Sequence, residues 1–318
     1  MLRFVARRLV ESAIVLLAVS FVAYALIGLM PGDPIDLMAQ ADPTLTAADV
    51  ARLKALAGID RPLLERWAGW LARAVRGDFG YSRLYAVPAI EVLGQRLVNT
   101  LLLMGTSFVL ALAISLPAGV CAAVRPGSVL DRLVNLVAFA GFSIPAFWLG
   151  LLLIILFAVE LGLLPAGGTQ SVDGGGPLDR ARYLVLPVMT LTLLTAGVHV
   201  RFVRAAMIET LREPFVRTAR AMGIGRQRLL WRHALRHAML PVVTMMALSF
   251  GGLFSGALVV ETTFAYLGVG KLIYDAILGN DFNLALLALL LATVVTLLSN
   301  LAADLAYVWL DPRITYDR

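Results

Sequence analysis

The chain has 318 residues, of which 60% are apolar and only 15% charged, with a formal net charge of +6 and a mean hydropathy of +0.84. That composition belongs to multi-spanning membrane proteins. It excludes a soluble α/β protein with six buried core helices, because buried helices are shorter and a soluble protein needs polar helix faces to meet water. Cys121 is the single cysteine, so no internal disulfide can form.

Six apolar runs, at 9–30, 98–120, 133–158, 184–200, 238–260 and 283–307, come close to the ~20 residues that cross ~30 Å of hydrocarbon. The fourth is short and contains Pro187. The first lacks a small-residue cleavage site at its end and reads as a retained span rather than a signal peptide. Arg3, Arg7 and Arg8 precede it, which predicts a cytoplasmic N-terminus, and six spans return the C-terminus to the same side. This places 16 of the 27 basic residues inside and 11 outside. Eight of the outer ones fall in the long segment 31–97, to which the rule gives little weight.

Segment 31–97 balances eight basic against eight acidic residues. Pro31 and Pro34 stop the first helix. Thr46 and Asp49 form a capping box that opens a short helix closed by Gly58. A second helix starts near Pro62, carries Trp67 and Trp70, and ends at "RGDFG". The segment is expected to be a small helical cap, either a lid over loop ends or a docking surface for an external partner. The third span carries Pro145, and the Gly-rich loop 161–183 that follows is expected to be irregular. Residues 261–281 are too polar to span and too apolar to float free, so they are expected to pack on the outer face.

The basic residues concentrate between the fourth and fifth spans. From Arg201 to Leu240 there are nine arginines and two acids. Phe215, Ala219 and Met222 recur at i, i+4 and i+7, giving one short apolar face between Pro214, which restarts a helix, and Gly223, which stops it. The face is too small to be its own core and is expected to need another surface to cover it. Arg228, Arg232 and Arg236 then form a ridge opposed by Leu230 and Ala234, an amphipathic helix leading into span five near Pro241. Attraction to anionic lipid, worth ~1 kcal/mol per basic residue, accounts for most of these arginines but not for the apolar face.

Catalytic and metal chemistry is sparse. Ser255 and His199 suggest an intramembrane protease, but "GLFSG" is not Gly-x-Ser-Gly, and the two residues fall at different depths. Ser255 reads instead as a small packing residue with Gly251, Gly252 and Gly256. His233 and His237 share a helix face without a third ligand, among arginines that oppose a cation. "VGKLI" lacks the glycine framework and the Ser/Thr of a phosphate loop. Asn300 and Asp304 lie in the last span without an acid–base pair for proton coupling, which suits a partner-driven pathway better than an ion-coupled carrier.

Several ordered fragments carry a family resemblance: "LMPGDP" at 29–34, "GIDRPLLERWAGWL" at 58–71, "GDFGYS" at 77–82, "RLVNTLLL" at 96–103, "FSIPAFWLG" at 142–150, "FVRTARAMGIGRQRLLWRHALRHAMLPVVT" at 215–244 and "VVETTFAYLGVGKLIYDAI" at 259–277. Together they resemble the permease subunits of ATP-binding-cassette importers, in the dipeptide/oligopeptide/nickel branch. Arg217, Thr218 and Ala219 occupy the first three places of the family's Glu-Ala-Ala motif, and Gly223 its glycine.

The resemblance implies an all-α polytopic fold of the type I importer permease kind, in a bacterial inner membrane, with both termini cytoplasmic. It implies three parts: an N-terminal arm and first span (1–30), an extracytoplasmic helical segment (31–97), and a five-helix core (98–318) with a cytoplasmic coupling loop at 201–237. Phe215, Arg217, Thr218, Ala219, Met222 and Gly223 would form a coupling helix. Pro31, Gly32, Asp33, Pro34, Glu261, Phe264, Gly268 and Gly270 would serve an outer dock or gate. The implied partners are a second homologous permease, two ATPase subunits that bind ATP and Mg, an extracytoplasmic solute-binding protein, the bilayer and a small solute, with no nucleic acid and no cofactor in this chain. Peptides lead as the solute, with nickel complexes and glutathione as alternatives within the branch; an ion-coupled carrier is the alternative outside it.

Overall fold

The computed structural model describes residues 2–29, 46–57 and 61–310, so Pro31, Gly32, Asp33, Pro34 and Gly58 lie outside the described residues. By contact the chain forms two units, Met1–Val98 with Lys271–Val294, and Asn99–Gly270 with Val295–Arg318. Residues 271–294 group with the N-terminal part because Asp281 holds a loop of that part, as described below.

In the first unit, α1 (Leu2–Ile27) is followed by α2 (Ala47–Ala57), α3 (Leu63–Ala74) and the start of α4 (Ala89–Val124). Thr46 opens α2 through the reciprocal capping box read from the sequence. Asp49 N donates to Thr46 Oγ1 at 3.2 Å, and Thr46 N donates back to the Asp49 carboxylate at 3.0 Å. These hydrogen bonds, the side-chain bond from Thr46 first, hold the Asp49 carboxyl below its usual range. The tryptophans of α3 face α1: Trp67 Nε1 donates to Ser20 Oγ at 3.2 Å, and Trp70 lies 6.0 Å from the Tyr24 ring. Tyr24 also meets Phe282 edge-on at 5.1 Å. Apolar rings with polar handles thus lock α3 onto the first span.

The motif fragment "GDFGYS" meets Asp281 in the same unit. The buried Asp281 carboxylate accepts from Ser82 Oγ at 2.5 Å and from Leu84 N at 3.0 Å, and also caps Leu284 N at 3.2 Å. Arg83 donates to the Gly279 carbonyl, and Asn283 Nδ2 to the Tyr81 carbonyl at 3.0 Å. The turn between α10 (Val269–Leu278) and α11 (Phe282–Leu310) therefore staples the loop before α4.

In the second unit, the third span expected at 133–158 is formed by α5 (Val129–Ser143) and α6 (Ala146–Leu153), which continues as a π-helical segment at Ile154–Glu160. They meet at an angle of 103°. The break is local in origin: Pro145 bars its predecessor from helical geometry, and Ile144 is extended at φ −81°, ψ 129°. The fourth span is also longer than expected. α7 (Pro177–Thr210) runs 34 residues with Pro187 inside it. Hydropathy marks only its lipid-facing part, whereas a helix continues through Arg201 and Arg204 wherever its backbone bonds are intact. In a membrane, neighbouring helices compensate for the bond an internal proline removes.

Two sets of contacts show that the bent pair crosses rather than turns back. At its start, Asp131 bonds Arg204 near the end of α7. At its exit, the Leu163 carbonyl accepts from Arg182 at 3.3 Å, and Asp179 accepts from Ser171 Oγ at 2.6 Å, both near the start of α7. Arg182 and Arg204 lie about 33 Å apart along the helix at 1.5 Å per residue, one hydrocarbon thickness. Midway the backbones nearly touch, where a Cβ on Gly197 would lie 2.5 Å from the Ala138 carbonyl oxygen and one on Gly141 3.0 Å from that of Leu193. The described residues thus hold five long apolar helices and one broken span, six crossings in all.

The remaining elements of this unit are α8 (Pro214–Ala221), a turn at Arg226–Arg228, a π-helical turn at Leu229–Ala234, and α9 (Leu235–Thr263). Of the four small residues expected to pack α9, Gly251 lies against Asn300 and Gly256 against Leu191, but Gly252 faces open space. Ser255 is exposed and, among the described residues, bonds only back to the Gly252 carbonyl at 2.8 Å. It is not paired with His199.

Candidate functional site

The arginine-rich loop folds into a capped helix pressed against its own continuation. Pro214 occupies the first turn of α8, where a missing N–H costs nothing. At the other end Gly223 takes φ +76°, Ile224 N donates to the Ala219 carbonyl at 3.1 Å, and Gly223 N donates to the Arg220 carbonyl at 3.0 Å. This is a Schellman cap, and its left-handed position is the reason for a glycine there.

The apolar face differs from the one read from sequence. Val216 and Ala219 turn inward and are buried with Leu229, flanked by Leu211, Phe215 and Ile224. The surface expected to cover this face is therefore supplied by the same chain. Met222 does not join it. The helix ends at Ala221, Met222 leaves helical geometry at φ −75°, ψ 3°, and its side chain is 75% exposed. Phe215 is half-buried, its ring 4.5 Å from that of His237. Arg217, Thr218 and Arg220 are exposed. The outward surface of α8 is thus basic and polar with one methionine at its end.

Behind α8, Leu229 and Leu230 are consecutive but serve different clusters. Leu229 packs on the α8 cluster, while Leu230 and Ala234 join Val203, Met207, Ala238 and Val242 in the core between α7 and α9. Helical geometry separates neighbouring side chains by about 100°, so one turn grips both the surface helix and the bundle. The expected arginine ridge is in place: Arg228, Arg232 and Arg236 are exposed and Leu230 and Ala234 buried. A cleft of about 720 Å³ opens beside α8, lined by residues that include Ile208, Glu209, Arg212 and Glu213.

Asp131 and Arg204, which the sequence reading did not single out, fix the end of α7 from which this loop hangs. The buried Asp131 carboxylate accepts from Arg204 Nε at 2.5 Å and from its terminal NH2 at 2.8 Å. Gly127 N and Asn135 Nδ2 supply two further bonds at 2.8 and 2.7 Å. A bidentate pair with satisfied lone pairs is the arrangement in which a buried ion pair holds. The available signal was Ser128 three residues before Asp131, a helix start carrying an acid; Arg204 was hidden among nine arginines.

The other candidate site, the expected outer dock or gate, lies in the segment expected to pack on the outer face. Glu261, Phe264, Gly268 and Gly270 are all buried and shape a turn. Thr100 Oγ1 donates to Glu261 Oε1 at 2.6 Å and accepts from Val269 N at 2.8 Å. A Cβ on Gly268 would collide with the Glu261 carboxylate, and one on Gly270 with the Leu258 backbone. Asn99 Nδ2 donates to the Leu267 carbonyl at 2.7 Å, and the Tyr266 hydroxyl to the Asn99 carbonyl at 3.4 Å. Burial, with the nearby Glu261 charge adding to it, pushes the Tyr266 phenol up to about 12. Among the described residues no cluster of three metal-ligating side chains occurs.

Residues 115–316 match the family described as binding-protein-dependent transport system inner membrane component, and residues 1–107 match its N-terminal companion. The oligopeptide transport system permease protein AppB of Bacillus subtilis is 36% identical over 99% of this chain and 100% of its own length. The glutathione transport system permease protein GsiC of Escherichia coli K12 is 37% identical over 99% of this chain and 100% of its own. Among solved structures, the inward-facing MetNI methionine ABC transporter superposes with a TM-score of 0.59 at 21% identity, covering 70% of this chain and 97% of that one.

Proposed function

Because the chain belongs to the family of binding-protein-dependent transport system inner membrane components, a family of multi-pass transport permeases, we propose that it lines part of a solute path and receives its driving force through α8. The observation that carries this reading is the outward face of α8: a short helix, fixed at both ends, bound inward through Leu229 and left uncovered outward. A push on that face passes through Leu229 to Leu230 and thence to α7 and α9. The chain carries no phosphate loop, so ATP with its Mg belongs to two separate ATPase subunits, which grip α8 of this chain and of a second permease. The basic loop and both termini lie on the cytoplasmic side. An extracytoplasmic binding protein delivers solute to the opposite face.

Peptides are the proposed solute, supported by the likeness to AppB. The likeness to GsiC keeps glutathione, itself a small peptide, within the same chemistry.

The test is reconstitution with the cognate ATPases, second permease and binding protein, followed by uptake of labelled oligopeptide and glutathione. Gly223→Val forces a branched residue into left-handed geometry at a cost of about 1–2 kcal/mol, and Phe215→Asp breaks the contact with His237. Each is expected to cut solute-stimulated ATP hydrolysis and uptake about tenfold with assembly intact. Unchanged stimulation in both variants would sink the reading of α8.

A further inference from the structure

His199 has no part in any of these contacts. It lies in α7, is 1% exposed, and neither ring nitrogen has a hydrogen-bond partner among the described residues. The hydroxyl of Ser107, on α4, is in the same condition. The neighbouring polar groups of α7 behave differently: Thr190 and Thr195 return their hydroxyls to the Leu186 and Leu191 carbonyls at 2.9 and 2.7 Å. Their capacity is spent within the helix, whereas that of His199 is unused. A buried polar group that has given up water and gained nothing is unfavourable, and ionisable residues within spans face the bundle interior or a water-filled cavity.

An aromatic ring packs on the imidazole. Phe108, adjacent to Ser107, meets the His199 ring edge-on at 6.0 Å and 87°. Phe108 also meets Phe250 of α9 at 5.2 Å and 80°. The three rings join α4, α7 and α9, and Phe108 also packs against the core that holds Val203, Met207 and Ala238. Two unsatisfied polar side chains, His199 of α7 and Ser107 of α4, are thus buried in this unit, the first of them against Phe108.

We propose that His199 is a solute contact of the open path, covered in this conformation by the Phe108–Phe250 pair, with Ser107 a second contact on α4. The proposal rests on the permease reading and names the solute chemistry it serves. A neutral imidazole offers one donor and one acceptor, and a hydroxyl offers both. That set pairs with the amides and carboxylate of a peptide and releases them again without a fixed charge in the path. When the helices separate, the polar groups gain partners that the closed form denies them, so uncovering is favoured by the solute.

The test uses the complete transporter in lipid vesicles. Cys121 is the only cysteine of this chain, so a Cys121→Ser background carrying His199→Cys reports position 199 alone, read on the separated subunit. Labelling by a small cationic methanethiosulfonate is followed without nucleotide and after ATP trapping with vanadate. The expected result is slow labelling in one state and labelling at least about tenfold faster in the other, with Phe108→Ala abolishing the protection. In parallel, His199→Phe is expected to raise KM for a labelled tripeptide about fivefold or more, and His199→Gln to restore it. A thiol that stays silent in both states and with Phe108→Ala, or that labels equally in both states, overturns the proposal; so does an unchanged KM in His199→Phe. ATP-driven uptake by the unmodified complex is measured on the same vesicles. If it is present while position 199 is silent, only the His199 assignment falls; if it is absent, the permease reading falls with it.

Discussion

Replacing Asp131 by alanine tests whether one ion pair holds the entry of the broken span against the end of α7. The perturbation removes the acceptor of two Arg204 bonds at 2.5 and 2.8 Å, along with the bonds from Gly127 N and Asn135. Breaking a buried pair by deleting one partner costs about 3–5 kcal/mol, because the other charge is left uncompensated. The Asp131 side chain is 5% exposed and that of Arg204 25%, so water still reaches part of the guanidinium and the expected loss lies at the lower end, about 3 kcal/mol. At ~2–4 °C per kcal/mol for a unit of this size, the unfolding midpoint should fall by roughly 6–12 °C. Thermal unfolding in detergent, followed by tryptophan fluorescence, measures this directly. The double-mutant cycle with Arg204→Ala isolates the pair, and a coupling of about 1–3 kcal/mol is expected. Additivity of the two single substitutions within ~0.5 kcal/mol would refute the claim that they act through each other.

Two further outcomes follow from the geometry. Gly197→Ala places a methyl 2.5 Å from the Ala138 carbonyl oxygen and should destabilise the α5–α7 crossing by about 1–3 kcal/mol. Gly105→Ala, with open space around its Cβ, should be neutral or slightly stabilising, and equal thermal midpoints for the two variants would contradict the close approach. Tyr266 should remain protonated while ordinary phenols titrate near 10.0, because its raised value of about 12 means that the folded state binds that proton more tightly. Its contribution to stability is thus full below pH 10 and disappears as pH rises from about 10 to about 12. An absorbance titration at alkaline pH, wild type minus Tyr266→Phe, should show the missing component near 12, and a component near 10 would count against the buried turn.

What is local in this protein is legible in its sequence. The apolar runs give the number of crossings, Thr46 and Asp49 give a helix start, and Gly223 gives a helix stop, since each depends on a few consecutive residues and on water or lipid as the only surroundings. The family resemblance is legible for a similar reason, because its fragments encode turns and caps. The tertiary structure alone decides what those residues touch. Ala219 and Glu261 are buried by partners distant in the chain or beyond their own helix, Leu229 for the first and Thr100 for the second. Arg204 looks like one lipid-anchoring arginine among nine until Asp131, 73 residues earlier, is brought to it. The break at Ile144 is written in Pro145, but its outcome as a single crossing is fixed only by which ends of α7 it meets. His199 is the limiting case. Nothing in its neighbours along the chain distinguishes a satisfied histidine from an unsatisfied one, because hydrogen-bond satisfaction is a property of three-dimensional surroundings that the one-dimensional order does not contain.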